Sequence, residues 1–129
     1  MINGDAFSKW LGIEVLEITA IFCKLKLKVR EEMTNGFKIA HGGITYSLAD
    51  SCLAFAANAD GLQAVSIETS ISHTKKVTSG ETLTATSKQI NKSSKTALYY
   101  ITITNQDNLE VAHFKGTVFR TKKEWFPKN

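Results

Sequence analysis

Two features of this chain have the residue types and spacing for chemistry: the tripeptide His41-Gly42-Gly43, and Asp50 a short way beyond it. Adjacent glycines allow close backbone approach and unusual dihedral angles. Placed directly ahead of a helix, they present N–H groups that lack intrahelical partners, at the positive end of the helix dipole. Such a site suits an anion or a developing oxyanion; it also suits a plain, tightly packed helix entry. Asp50 is the only carboxylate of a run, Ile44 to Ala57, that is otherwise almost wholly apolar or small. An unpaired charge there costs several kcal/mol. Asp50 therefore needs partners, water or a raised pKa. Ser47 and Ser51 could cap it locally, or it could act as a general base or nucleophile. It lies seven residues beyond Gly43, about 10 Å along a helix. That is too far for both groups of one chain to meet a single carbonyl, whereas Asp50 of a second copy could face Gly42.

The elements that must hold these residues are legible from periodicity. Ile44, Leu48, Cys52 and Phe55 recur at helical spacing, and Leu53, Ala56 and Ala57 widen the apolar surface. A helix apolar nearly all round is a buried one. Before it, Asp5 to Leu11 reads as a short amphipathic helix closed by Gly12. Ile13 to Thr19 reads as a strand whose apolar phase slips between Val15 and Leu16, which predicts a bulge. From Ile21 to Arg30, apolar residues alternate with Lys24, Lys26, Lys28 and Arg30, the signature of a strand with one wet face. Asn35-Gly36 marks a turn. After the long helix, the runs 65–77, 82–90, 97–104 and 109–121 read as strands. The first of them puts Val65, Ile67, Thr69 and Ile71 on one face and Ser66 on the other. The tail 122–129 is polar, with Trp125 and Phe126 able to dock. One helix cannot cover both faces of six antiparallel strands, so a strongly curved sheet wrapped round it is expected. The edges of such a sheet invite pairing with a second copy.

Asn35-Gly36, His41-Gly42-Gly43 and Ser47-Leu48-Ala49-Asp50, with the later step Gly80-Glu81-Thr82-Leu83 into a strand, resemble the hot-dog-fold acyl-CoA thioesterases of the phenylacetate-degradation type. The likeness runs over nearly the whole chain. It implies an α+β fold in one domain, 1–129, with a six-stranded antiparallel sheet curved round one long helix and a short N-terminal helix. It implies hydrolysis of an aryl-acyl or medium- to long-chain acyl-CoA, at sites shared across a homodimer that pairs into a tetramer. It places the Gly42 N–H at the thioester carbonyl and Asp50 of the other subunit as base or nucleophile. Asn35 would orient the attacking water or the carbonyl, and His41 and Gly43 would form the substrate loop. Ser66 would hydrogen-bond near the water, which strict alternation forbids unless a bulge intervenes. Where relatives carry an aromatic, Leu, Arg and Pro, this chain has His73-Thr74-Lys75-Lys76; Lys75 and Lys76 could still meet coenzyme A phosphates as point charges. A non-catalytic acyl-CoA sensor on the same fold is the alternative.

Other classes find little support. Sixteen Lys and Arg against twelve Asp and Glu give a net charge of +4, but the lysines are scattered and no nucleic-acid motif appears. His73 and His113 lie in strands without metal-ligand spacing. No nucleophile elbow, phosphate loop or dinucleotide fingerprint is present. No metal is expected, and no cofactor beyond the coenzyme A carried by the substrate. With no secretory or membrane-spanning run, a cytoplasmic location without membrane partners is expected. Cys23 and Cys52, both in apolar runs, fit buried thiols in a reducing compartment, although sequence alone leaves a disulfide between them open.

Overall fold

A computed structural model describes residues 5–126. The elements run α1 (Ala6–Leu11), β1 (Glu14–Ile18), β2 (Cys23–Lys28), a single 3₁₀ turn (Glu31–Met33), α2 (Gly42–Asn58), β3 (Leu62–His73), β4 (Thr82–Lys92), β5 (Thr96–Thr104) and β6 (Glu110–Glu124). The strands form one antiparallel sheet in the order β1-β2-β4-β5-β6-β3. The sheet holds α2 in its concave face, as the strand count demanded. Leu48, Cys52, Leu53 and Phe55 of α2 are buried together with Leu25, Leu27, Leu83, Ile101, Ile103, Phe114 and Val118 of the strands. Gly116 of β6 is part of this fit: a Cβ there would stand 2.5 Å from Leu53 Cδ2. No helix among the described residues is long and apolar enough to cross a membrane.

Local signals place several boundaries. Asp5 caps α1 by accepting the Ser8 N–H at 3.1 Å, and Gly12 closes it in the left-handed region at φ 75°. The Arg30 guanidinium donates to the carbonyls of Leu11 and Trp10 at 3.1 and 2.8 Å, satisfying the helix's last acceptors. Ser8 Oγ meets Ser51 Oγ at 3.0 Å and ties α1 to α2. The register of β1 against β2 slips between Val15 and Glu17, as its apolar phase predicts. Strand β2 is shorter than its alternation suggested. Ile21 falls in the turn closed by the Thr19 N–H to the Phe22 carbonyl, 57% exposed. Cys23 and Cys52 are buried free thiols. Cys52 Sγ donates to the Cys23 carbonyl at 3.4 Å, and the neighbouring Cys23 thiol, together with burial, pushes the Cys52 thiol's pKa far up, so it stays protonated.

Strand β3 corrects the expected phase. It begins at Leu62 and ends at His73, after which the Thr74 and Lys75 N–H groups both reach the Val111 carbonyl. Against β6, Ser66 pairs with Val118 but Glu68 pairs with Thr117. Ile67 is therefore an extra residue, a bulge that reverses the alternation. Ser66 shares the helix-facing side with buried Val118, and Val65 points outward beside Phe119. Val65 and Ile67 are 57% and 60% exposed, whereas Thr69 and Ile71 keep the inner face. The outward residues lie on β3, which with β1 forms the edges of the sheet.

A candidate active site in two clefts

The first cleft opens at Asp50. Asp50, Leu53, Ala54 and Asn58 project from one face of α2, and Gln63 to Ser66 of β3, Val118 of β6 and Trp125 complete a space of about 400 Å³. Because Ile67 bulges, Ser66 joins Asp50 here. The Ser51 hydroxyl is engaged with Ser8, and no hydrogen bond among the described residues reaches the Asp50 carboxylate. The local cap that Ser47 and Ser51 could have supplied is absent. Partial burial raises the Asp50 pKa above the usual carboxylate value, and the negative charge of Asp5 adds to the effect. Asp50 is thus a half-buried acid with oxygens open to a mostly apolar cleft.

The second cleft, about 420 Å³, lies at the N-terminus of α2 and is lined by Asn35, Gly42, Thr45, His73, Lys75 and Lys76 among others. The loop leading to it is fixed by backbone bonds: Asn35 N–H to the Ile39 carbonyl, Ala40 N–H to the Val77 carbonyl and His41 N–H to the Met33 carbonyl. His41 is the helix cap, its Nδ1 accepting the Gly43 N–H at 2.9 Å. A Cβ on Gly43 would stand 3.1 Å from that nitrogen, so the second glycine makes room for the imidazole. Neither glycine takes a positive φ, contrary to the expectation of unusual dihedrals. The Gly43 N–H is spent within the chain. The Gly42 N–H makes no hydrogen bond among the described residues and lies at the positive end of a 17-residue helix.

Two residues that sequence reasoning passed over stand beside Gly42. Thr45 Oγ donates to the Gly42 carbonyl at 3.0 Å and meets His73 Nε2 at 2.6 Å, and the His73 ring lies 3.4 Å from where a Gly42 Cβ would be. With the Thr45 proton directed at Gly42, His73 Nε2 donates to Thr45. Thr45 follows Gly42 by one helical turn and so was findable; His73 reached the site only through the path of β3. Asn35 Oδ1 accepts the Phe37 N–H at 2.9 Å, while its amide nitrogen makes no hydrogen bond among the described residues. No group of three His, Cys, Asp or Glu side chains with metal-binding geometry occurs among the described residues.

One chain therefore brings Asp50 and Ser66 together, and separately gathers Gly42, Asn35, Lys75 and Lys76. It does not bring the two sets together. Eight residues of helix, about 12 Å, separate Gly42 from Asp50.

Comparison with known proteins sets this geometry in context. The family model described as "Thioesterase superfamily" matches residues 37–112. The acyl-coenzyme A thioesterase PaaI of Escherichia coli is 37% identical over 120 residues, covering 93% of this chain and 86% of that protein. A solved structure of the E. coli PaaI protein from the phenylacetic acid degradation operon superposes with a TM-score of 0.94 at 35% identity, covering 96% of this chain and 90% of that one. A Streptococcus mutans protein solved bound to acetyl CoA superposes with a TM-score of 0.83 at 26% identity, covering 87% and 90%.

Proposed function

The chain belongs to the thioesterase superfamily, and on that premise we propose that it hydrolyses acyl thioesters of coenzyme A at a site shared by two copies of the chain. The observation that carries this reading is Asp50: a carboxylate that no hydrogen bond among the described residues reaches, facing a cleft large enough for an acyl group. A structural aspartate would have its oxygens occupied. The edge strand β3, with Val65 and Ile67 exposed on it, is the surface suited to pairing with a second copy. Pairing there would bring Asp50 of the partner subunit toward Gly42. Further pairing into a tetramer belongs to the same proposal, as does a cytoplasmic location, which the two reduced thiols fit.

The mechanism follows from what each group can do. The thioester oxygen accepts the Gly42 N–H. Negative charge collects on that oxygen in the tetrahedral transition state, so a preset donor at a helix N-terminus stabilises it more than the ground state. Asp50 either takes a proton from a water that attacks the carbonyl carbon, or attacks that carbon itself to form an anhydride that water then opens. In both routes the C–S bond breaks and the coenzyme A thiolate leaves and is protonated. Ser66 stands beside Asp50 to hold the water. The Asn35 amide nitrogen is a second donor for the water or the carbonyl. Lys75 and Lys76, at the rim of the Gly42 cleft, meet the phosphates of coenzyme A.

The test is release of coenzyme A, read with a thiol reagent, from a panel of acyl-CoAs that includes an aryl-acetyl member. Turnover of at least one is expected; binding without thiol release would identify an acyl-CoA sensor instead. Asn35→Asp sharpens the assignment. It keeps the oxygen that holds the turn and removes the amide donor, so kcat should fall about 10-fold or more while KM changes less. An unchanged kcat would remove Asn35 from the chemistry.

A further inference from the structure

We propose that Trp125 limits the length of the acyl group, by closing the far end of the cleft that begins at Asp50. This rests on the thioesterase reading and adds the specificity-determining residue. Asp50, Leu53, Ala54 and Asn58 form one continuous face of α2, and from the first to the last is about 12 Å. Trp125 stands at the Asn58 end. Its indole N–H donates to Asn58 Oδ1 at 2.9 Å, and its backbone N–H donates to the Gly61 carbonyl at 2.9 Å.

Asn58 is built to hold that ring. It is 7% exposed at the end of an apolar helix, and every polar atom of its side chain is engaged. Oδ1 also accepts the Ala64 N–H at 2.8 Å; Nδ2 donates to the Ala54 carbonyl at 2.7 Å and to the Ala64 carbonyl at 3.2 Å. A fully satisfied buried amide is a rigid anchor. Behind the pair lies a second, apolar cavity of about 270 Å³, lined by Ile18, Phe55, Gly61 and Phe126 as well as by Asn58 and Trp125 themselves. The two spaces share those two residues, so Trp125 is the partition between them.

The chemistry of the walls selects the occupant. Beyond Asp50 the cleft carries no charged side chain, and Leu53, Ala54, Ala64 and Val118 give it an apolar lining. The lysines suited to phosphates line the other cleft. An uncharged acyl tail therefore runs from the carbonyl at Asp50 toward Trp125, and tails longer than the space must displace the indole.

The experiment measures kcat/KM for butyryl-, octanoyl-, dodecanoyl- and palmitoyl-CoA, each profile expressed relative to butyryl-CoA. Wild-type protein should favour the medium chain and fall sharply beyond it. Trp125→Ala opens the rear cavity and should raise dodecanoyl over octanoyl preference by about tenfold or more, the scale on which buried methylenes discriminate. Trp125→Phe, which keeps a ring but loses the anchor, should fall between, and it serves if the alanine variant does not fold. Wild-type protein that hydrolyses palmitoyl-CoA as efficiently as octanoyl-CoA overturns the proposal, and so does a folded Trp125 variant with the wild-type profile. Those results leave the thioesterase reading standing. Thiol release from an aryl-acetyl-CoA but from none of the straight-chain members would also overturn the proposal and leave that reading standing, whereas failure with all of them, the aryl-acetyl-CoA included, would instead defeat it.

Discussion

Asp50→Asn is expected to leave a folded protein that turns over acyl-CoA about 10²–10⁴-fold more slowly, the range for loss of a general base. The amide is nearly isosteric with the carboxylate and can neither take a proton from water nor attack as an anion. Stability should move the other way from activity. The folded state raises the Asp50 pKa through burial and the neighbouring Asp5 charge. A raised carboxylate pKa favours the folded state fully below the unfolded value, and that contribution is lost as pH rises through the folded value. At neutral pH the ionised Asp50 is thus a burden on the fold, and Asp50→Asn should melt no lower than wild type and rather higher. In acid, where Asp50 is protonated, the difference should shrink. The same shift sets the acid limb of wild-type kcat/KM above the ordinary carboxylate range. Wild-type turnover in the variant would remove Asp50 from the mechanism, and a melting point well below wild type would mark it as structural.

Gly42→Pro is the second large effect, and it removes one backbone donor. Gly42 is the first residue of α2, where proline is well accommodated because its missing N–H has no intrahelical partner. His41 ahead of it has φ −59° and ψ 139°, the extended conformation that a residue before proline requires. Even the first side-chain carbon is tolerated, since a Cβ would meet His73 at 3.4 Å, an ordinary contact. The substitution therefore deletes the proposed oxyanion donor while keeping the helix. Loss of about 10²–10³ in kcat is expected, with unaltered circular dichroism. A variant as active as wild type would place the oxyanion elsewhere.

The two variants together test whether the site is shared. In a mixed dimer, the Asp50→Asn chain still supplies an intact Gly42 and the Gly42→Pro chain an intact Asp50. If each site takes one group from each chain, one of its two sites is whole. Co-refolding equal amounts should then recover roughly a quarter of wild-type activity, since half of randomly formed dimers are mixed. A site contained within one chain would recover nothing.

Much of this protein is written locally. The alternation Cys23, Leu25, Leu27 and Val29 is buried as read, because in a strand each residue's face is set by its neighbours. The entry to α2 at His41-Gly42-Gly43, the Gly12 cap and the slip in β1 were likewise visible, each depending on a few adjacent residues. So was the oddity of Asp50, because a carboxylate in an apolar helix is conspicuous wherever the helix goes. The tertiary structure decided what depends on partners distant in sequence. The bulge at Ile67 exists only in the register of β3 against β6, and it alone turns Ser66 toward Asp50. His73 meets Thr45, and Trp125 meets Asn58, across separations of 28 and 67 residues. The division of the candidate residues between two clefts has the same origin: helix pitch is local, but which strand lies beside each turn of α2 is settled only when the sheet closes round it.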